Sequence, residues 1–192
     1  MDPITLYFVA VVGAGESEAR QTVDPELAAR VYSVAEAHPR GTVYGAALGA
    51  RSGLLAAEVG GLKLPAYRGY AEALAPARSA SQSIKGEAYF ARMLLYATRS
   101  WTVQPYIFGG AAYTIGYNHE QGQCATCGAG YVPDWRNTTR AVVPYYGGGI
   151  EVPVSERVTI RAEIGRMPGA IDSHWTGRRD YTFGTVGIAV SF

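Results

Sequence analysis

Several segments of this 192-residue chain alternate strictly between apolar residues and small or polar ones, and this pattern restricts the fold most. In the segment 158–165 the even-numbered residues are apolar, while the odd-numbered ones include Arg161 and Glu163. In the segment 185–192 the even-numbered residues are again bulky and apolar, ending at Phe192. A period of two places successive side chains on opposite faces of a β-strand. The pattern therefore predicts an all-β protein.

The whole chain contains eight such segments, each bounded by glycine, proline, serine or charged residues. The predicted strands cover residues 4–15, 41–51, 54–65, 84–97, 102–116, 141–153, 157–168 and 181–192. Long and short connections alternate between them. All long loops are therefore expected at one end of the sheet, and the tight turns and both termini at the other end.

Eight antiparallel strands in chain order predict an up-and-down barrel, because closing the sheet on itself removes exposed edges. Strands of about 11 residues, rising about 3.3 Å per residue and tilted by about 40°, span roughly 28 Å, close to the roughly 25 Å apolar band of an outer-membrane barrel. We expect residues 1–192 to form this one domain. In the first long loop, Asp24-Pro25-Glu26, followed by Leu27, Val31 and Val34, predicts a short helix.

The composition indicates which face of the barrel points outward. Charged residues make up only 17% of the chain, and Lys63 and Lys85 are its only lysines. The polar half of the alternation is mostly Gly, Ala, Ser and Thr, which suits a crowded interior but makes a poor solvent face. The 14 Tyr and 3 Trp fit aromatic belts at the two membrane interfaces. A membrane barrel is favoured; a soluble lipocalin-like ligand carrier, with its apolar face around a ligand, is the alternative.

Other classes are disfavoured by the same sequence. A net charge of +1 provides no field for nucleic acid. The longest apolar segment, residues 4–15, is shorter than the roughly 18–20 residues of a spanning helix. Asp2 stands where a secretory signal carries Lys or Arg, so we interpret the sequence as a mature chain from which any export signal has been removed.

The chain resembles the eight-stranded outer-membrane barrels of the OmpA-like and OmpX-like type. The similarity lies in residues 40–49 (RGTVYGAALG), 105–113 (PYIFGGAAY), 147–152 (GGGIEV) with 159–163 (TIRAE), and the last strand. The resemblance implies a monomer in the bacterial outer membrane, in contact with outer-membrane lipid and lipopolysaccharide. It also implies that Phe192, a terminal aromatic residue, is the signal read by the barrel assembly machinery.

With the apolar face toward lipid, five charged residues point into the lumen: Glu58, Arg92, Glu151, Arg161 and Glu163. Charges inside a narrow barrel are costly unless they are paired and hydrogen-bonded. We therefore expect a closed Arg/Glu network. The resemblance implies the same, since OmpA-like barrels carry interior acids and bases that plug the lumen. A narrow conducting path is the alternative. Arg51 and Arg166, near strand ends, are expected to snorkel to lipid headgroups.

Cys124 and Cys127 lie in the third long loop. Zinc needs four ligands and only His119 is near, so no metal site is expected. No His follows Cys127, which removes the c-type haem pattern. A disulfide within the loop is favoured in an oxidising compartment, with free thiols or a metal shared with a partner as alternatives.

Asp172-Ser173-His174 contains a nucleophile and a base, and an outer-membrane lipid A deacylase uses Ser and His. That family's Asn after the Ser is absent here, and adjacent residues of a strand point to opposite faces. An ordinary polar loop is favoured. Gly147-Gly148-Gly149 has neither the Lys nor the helix of a phosphate loop and predicts close side-chain packing.

The sequence thus predicts a non-enzymatic outer-membrane barrel without a cofactor or metal. Its role is expected to be structural or surface-interacting, through a protein partner at the extracellular loops and with no nucleic acid. A channel, a lipid-modifying enzyme and a soluble carrier are the alternative functions. Eight strands leave an interior just wide enough for side chains, which disfavours a wide pore.

Overall fold

The computed structural model describes residues 3–19, 33–36, 40–74, 77–98, 102–124, 134–173 and 177–192. The regular elements in these ranges are β1 (Thr5–Ala19), β2 (Ser33–Glu36), β3 (Arg40–Ser52), β4 (Leu55–Leu74), β5 (Ala77–Tyr96), β6 (Gln104–Cys124), β7 (Asp134–Pro153), β8 (Val158–Ser173) and β9 (Gly177–Ser191). Within the same ranges no helix is long and apolar enough to cross a bilayer.

Eight long strands form a closed antiparallel barrel. Each pairs with the next long strand along the chain, and β1 also pairs with β9, which joins the two ends of the sheet. The short β2 pairs with the far end of β4, beyond the point where β3 and β4 stop pairing at Tyr44 and Lys63. The predicted eight-stranded up-and-down barrel is confirmed.

The prediction of a short helix in the first long loop is wrong for Val34, the last residue of its pattern. Val34 lies in β2, where it pairs with Ala71 of β4. Hydrogen bonds to the free edge of β4 fix this residue in a strand, and a helical spacing of apolar residues cannot reveal such a partner. Residues 24–31, which carry the rest of the pattern, lie outside the described part of the chain.

The strands are longer than predicted, and two expected loops are largely strand. β4 and β5 each have 20 residues, so the loop predicted at 66–83 is mostly paired backbone. β6 and β7 similarly fill much of the loop predicted at 117–140. Pro65 suggested a turn, but it lies at a β-bulge where the β4–β5 register shifts between Leu64 and Tyr67. Beyond Pro65 the side chains continue to alternate between the two faces, and β4 continues with them.

These lengths place one end of the barrel well outside a bilayer. A 20-residue strand tilted by about 40° spans roughly 50 Å, whereas the apolar band of an outer-membrane barrel is roughly 25 Å tall. The tight turn at Gly53, which has a φ of 67°, marks the opposite end. We call the end away from this turn the distal end.

The two faces of the strands have opposite character. Ile164 is 68% exposed and Ile188 is 55% exposed on the outer wall, whereas Arg161 is 1% and Glu163 is 6% exposed in the interior. Water would penalise this outer surface, since large exposed apolar areas are unfavourable, but hydrocarbon would not. A soluble carrier requires the reverse arrangement, and that alternative is therefore wrong.

The distal interior is packed with apolar side chains, and the end of β8 lies among them. β7 and β8 pair only as far as Tyr146 and Arg166. A shift of register between Met167 and Ile171 then turns β8 inward, where Ile171 is fully buried. The same buried cluster contains Leu64, Tyr67, Ile84, Met167 and Tyr181.

The inward turn of β8 is held by polar contacts with inner faces of other strands. The Thr114 hydroxyl donates to the carbonyl of Ala170. The Asn118 amide donates to the carbonyl of Asp172 at 3.1 Å, and the Ser173 hydroxyl donates to Gln82 Oε1 at 3.0 Å. The last residues of β8 therefore lie inside the barrel wall, bonded to β5 and β6.

Candidate functional site

Strand register brings the five predicted lumen charges together at one level of the barrel. Glu58 of β4 lies directly opposite Arg92 of β5, and Glu151 of β7 lies directly opposite Arg161 of β8. Glu163 follows on the inner face of β8 because the side-chain period is two. All five are buried, and we call them the lumen network.

Arg92 joins two carboxylates from different parts of the wall. Its Nε donates to Glu58 Oε2 at 2.8 Å. Its two terminal nitrogens donate to the two oxygens of Glu163 at 3.1 and 2.8 Å. Such a bidentate ion pair is strong and fixes the orientation of the guanidinium and the carboxylate.

Arg161 completes the ring of charges. Its Nε donates to Glu151 Oε1 at 2.8 Å, and its Nη1 forms ion pairs with Glu58 and Glu163. Each of the three carboxylates therefore contacts at least one guanidinium. A buried charge with such partners avoids most of the penalty of an unpaired one.

Four tyrosines extend the network, and sequence reasoning assigned them to interfacial belts. Tyr7 donates to Glu58 at 2.7 Å, Tyr96 to Glu151 at 2.9 Å and Tyr106 to Glu163 at 2.6 Å. Tyr145 accepts from Arg92 at 3.0 Å. The alternation of side chains along each strand could have revealed their inward position, since each of these tyrosines shares the inward face of its strand with buried apolar residues. The tyrosines exposed on the outer wall are others: Tyr44, Tyr70, Tyr89, Tyr113, Tyr117 and Tyr146.

Arg51 points into the lumen instead of snorkelling to headgroups, so that prediction is wrong. It donates to the Gly53 carbonyl at 3.1 Å and to Gln104 Oε1 at 3.0 Å, and it pairs with Glu151 at 3.3 Å. Arg51 lies on the inward face of β3, and the acceptors at the tight-turn end take the place of contacts with lipid headgroups. Arg51 thus adds a third cation to the three acids. Arg166 does lie on the outer wall, half-exposed, where it pairs with Asp180 at 3.2 Å.

Glycines make room for the inward rings. A Cβ at Gly49 would lie 2.3 Å from Cζ of Tyr7, and one at Gly149 would lie 2.6 Å from the hydroxyl oxygen of Tyr106. Since real Cβ atoms do not approach that closely, both positions require glycine for the observed packing. The close packing expected around 147–149 is seen here.

The lumen beside the network is almost completely filled. The cavity next to Arg92 and Glu163, lined also by Leu62 and Phe90, has a volume of about 10 Å³. That is at the lower limit of the roughly 10–15 Å³ needed to hold one water. The five charges of the lumen network are therefore paired with one another, and little free space is left beside Arg92 and Glu163.

The remaining predicted sites are only partly within the described residues. Cys124 ends β6 opposite Arg78, while Cys127 lies outside, so their disulfide stays a prediction. Ser173 is buried and bonded to Gln82, whereas His174 lies outside. In the described ranges, no group of three or more His, Cys, Asp or Glu residues could hold a metal ion.

Phe192 lies on the seam between the first and last strands. Its N–H donates to the carbonyl of Leu6 at 3.0 Å, and its side chain is 73% exposed. The residue is therefore accessible on the outer wall. Its role as an assembly signal stays a prediction.

The comparisons with known proteins support the architecture. No protein-family model matches the chain, and no protein with a curated description matches it. The outer membrane protein OprG from Pseudomonas aeruginosa is similar in structure, with a TM-score of 0.61 and 10% identity over 97% of this chain and 95% of that chain. The N-terminal β-barrel domain of OprF from Pseudomonas aeruginosa has a TM-score of 0.51 and 10% identity over 96% of this chain and 97% of that domain.

These likenesses at 10% identity show the fold and do not extend to activity. The chain has the fold of eight-stranded outer-membrane barrels. The resemblance seen in the sequence is confirmed at that level.

Proposed function

We propose that this protein is a non-enzymatic barrel of the bacterial outer membrane whose lumen is closed and whose distal end binds a partner. The lumen network carries the proposal. Three acids and two guanidiniums are joined across the barrel axis by direct ion pairs. A path for solutes would have to break them.

Two barriers in series support a closed lumen. The first is the lumen network, with its ring of tyrosines. The second is the distal plug, formed by Leu64, Tyr67, Ile84 and Tyr181 with the inward end of β8. An eight-stranded barrel is only just wide enough for side chains, so neither barrier leaves spare cross-section.

The outer wall and the fold support the location. Apolar side chains of the outer wall suit hydrocarbon, and the likeness to OprG and OprF is a likeness to outer-membrane proteins. Phe192, at the barrel seam, would be the contact for the assembly machinery.

The height of the strands supports a surface role. β6 and β7 pair as far as Gln121 and Asp134, far beyond the apolar band on the distal side. Ala19 of β1, Cys124 of β6 and Ser173 of β8 end these strands on the same side. A rigid wall that extends beyond the bilayer is suited to presenting a binding surface.

Conductance measurements test the closed lumen. The wild-type barrel in planar bilayers should show no discrete conductance. A regular conductance that changes when Arg92 or Arg161 is replaced would favour the narrow-channel alternative instead.

Site-specific photo-crosslinking in cells tests the surface role. A photoreactive residue at Gln121 or Asp134 should give protein adducts, whereas one at Ser155 in the opposite turn should not give the same adducts. The absence of distal adducts, or identical adducts at both ends, would contradict a distal binding surface.

Lipid A analysis tests the lipid-modifying alternative. Altered lipid A that depends on Ser173 would support that alternative.

A further inference from the structure

One side of the outer wall carries a cluster of cations just beyond the aromatic belt. Register places Lys63, Glu87, Ile115 and Arg140 in one row across β4 to β7. Outward-facing residues of the next rows add Arg68, Lys85 and Arg136. We call Lys63, Arg68, Lys85, Arg136 and Arg140 the basic patch. Since neighbouring strands lie about 4.8 Å apart, the row from Lys63 to Arg140 covers roughly 14 Å.

Most of this positive charge is not neutralised by the protein. Lys63 pairs with Glu87 at 2.6 Å, and Arg136 pairs with Asp134 at 3.4 Å. The side chains of Arg68, Lys85 and Arg140 make no hydrogen bond or ion pair with any described residue. Exposed cations left unpaired on neighbouring strands repel one another, so an anion between them is favoured.

Asp134 is a further acid near this surface, and it already has partners. Desolvation alone would raise the pKa of Asp134, but hydrogen bonds from His119 and Arg136 hold that pKa below its usual range. The carboxylate is therefore ionised and bound to these two residues. It does not neutralise Lys85 or Arg68.

The basic patch lies where lipid headgroups would be. Tyr44 is directly opposite Lys63, and the hydroxyl of Tyr89 donates to Glu87 at 3.3 Å. Tyrosines on the outer wall mark the membrane interface. Two positions along β7 from Arg140, toward the tight turns, Val142 faces the hydrocarbon. The cations are thus at the outer edge of the apolar band.

Lys85 lies between two shallow grooves in this wall. The groove on one side, of about 550 Å³, is lined by Arg40, Tyr44, Lys63 and Arg68. The groove on the other side, of about 460 Å³, is lined by Tyr117, His119 and Arg136. Both are open and lined in part by cations, which are groups that bind phosphate oxygens.

On β1 and β3, the charges near this level are acids or paired cations, since Arg40 of β3 pairs with Glu16 of β1 at 3.2 Å. At a similar height, β1 presents Glu16 and Glu18, opposite Thr182 and Asp180 of β9. Arg166 of β8 is paired with Asp180. The basic patch differs from these pairs because the side chains of Arg68, Lys85 and Arg140 have no acid partner among the described residues, which favours an anionic ligand there.

We propose that the basic patch binds the phosphate groups of lipid A in the outer leaflet, with Lys85 between two phosphate-binding grooves. The acyl chains would lie along the apolar wall below. Lipid A is favoured over a soluble anion because the patch opens at the level of the headgroups, where the lipid is already concentrated. This inference is independent of the distal binding surface.

The experiment measures lipid A binding by the full chain in detergent micelles. The patch variant Arg68→Gln/Lys85→Gln is compared with the control variant Arg157→Gln/Arg178→Gln, which removes the same charge from exposed positions outside the patch. The patch variant should bind bisphosphorylated lipid A more weakly, on the order of fivefold per removed cation at low ionic strength. The control should change by less than about twofold.

A second arm uses the wild-type chain alone. Dephosphorylated lipid A should bind as weakly as bisphosphorylated lipid A binds to the patch variant, and millimolar inorganic phosphate should not displace the intact lipid. Equal binding of both lipids, or equal loss in patch and control variants, would overturn the proposal. Displacement by inorganic phosphate would replace the lipid with a soluble anion as the ligand and would also overturn it.

Discussion

Arg92 and Glu163 are 71 positions apart in the chain, yet their side chains meet in a two-pronged ion pair with distances of 3.1 and 2.8 Å. They belong to β5 and β8, which are not neighbours in the sheet. The pair therefore crosses the lumen and ties opposite parts of the wall together. A residue that joins separated strands restrains the whole barrel and not only one hairpin.

Removing one partner from this network should destabilise the barrel strongly. Arg92→Met leaves Glu58 and Glu163 short of a cation in a buried site, which costs about 3–5 kcal/mol. Arg40→Met removes the exposed partner of Glu16 and should cost less than about 1 kcal/mol. Reversible denaturant unfolding in lipid vesicles measures both. Equal losses would show that the lumen network contributes no more than a surface ion pair.

Glycine at position 49 should be required for the ring of Tyr7. Gly49→Ala would place a methyl group 2.3 Å from Tyr7 Cζ, so the ring must move and its hydrogen bond to Glu58 is lost. Overpacking of this kind costs about 1–3 kcal/mol. Gly109 is the matched control, because nothing lies within 4 Å of the Cβ it would carry. Unfolding of Gly109→Ala should match the wild type, and a similar loss in both variants would refute the steric explanation.

The inward end of β8 should depend on Ile171. Ile171→Ala removes a fully buried side chain and leaves a cavity beside Leu64, Gly86 and Gly116, which costs about 2–5 kcal/mol. Hydrogen exchange should increase first in residues 169–173. The control is Ile164→Ala on the lipid-facing wall of the same strand. Unchanged exchange in 169–173 would indicate that these residues are held by their polar contacts alone.

The face of the strand on which each residue lies could be predicted from the sequence. Arg161 and Glu163 alternate with Ile160 and Ile164, and this alone assigns the charged face to the interior. The same rule applies to Tyr7, but composition suggested a membrane interface for the tyrosines and hid their inward positions.

Features that depend on distant partners could not be predicted in the same way. The paired backbone beyond Pro65 follows from the neighbouring strand, since a proline or glycine is compatible with a bulge as well as with a turn. The inward turn of β8 depends on Thr114 and Asn118, which lie on β6. No local pattern around Gly169 indicates that contact.

The orientation of the barrel wall is tested most directly by single nitroxide labels at positions 185–190 of β9 in lipid vesicles. Cys124→Ser and Cys127→Ser remove the native thiols first. A barrel with its apolar face toward lipid predicts that labels at 186, 188 and 190 are accessible to oxygen dissolved in lipid. Labels at 185 and 189 should be shielded. The opposite phase, with 185 and 189 accessible to lipid-dissolved oxygen and Val186 and Ile188 shielded, would contradict the lipid-facing outer wall and the closed lumen inferred from it.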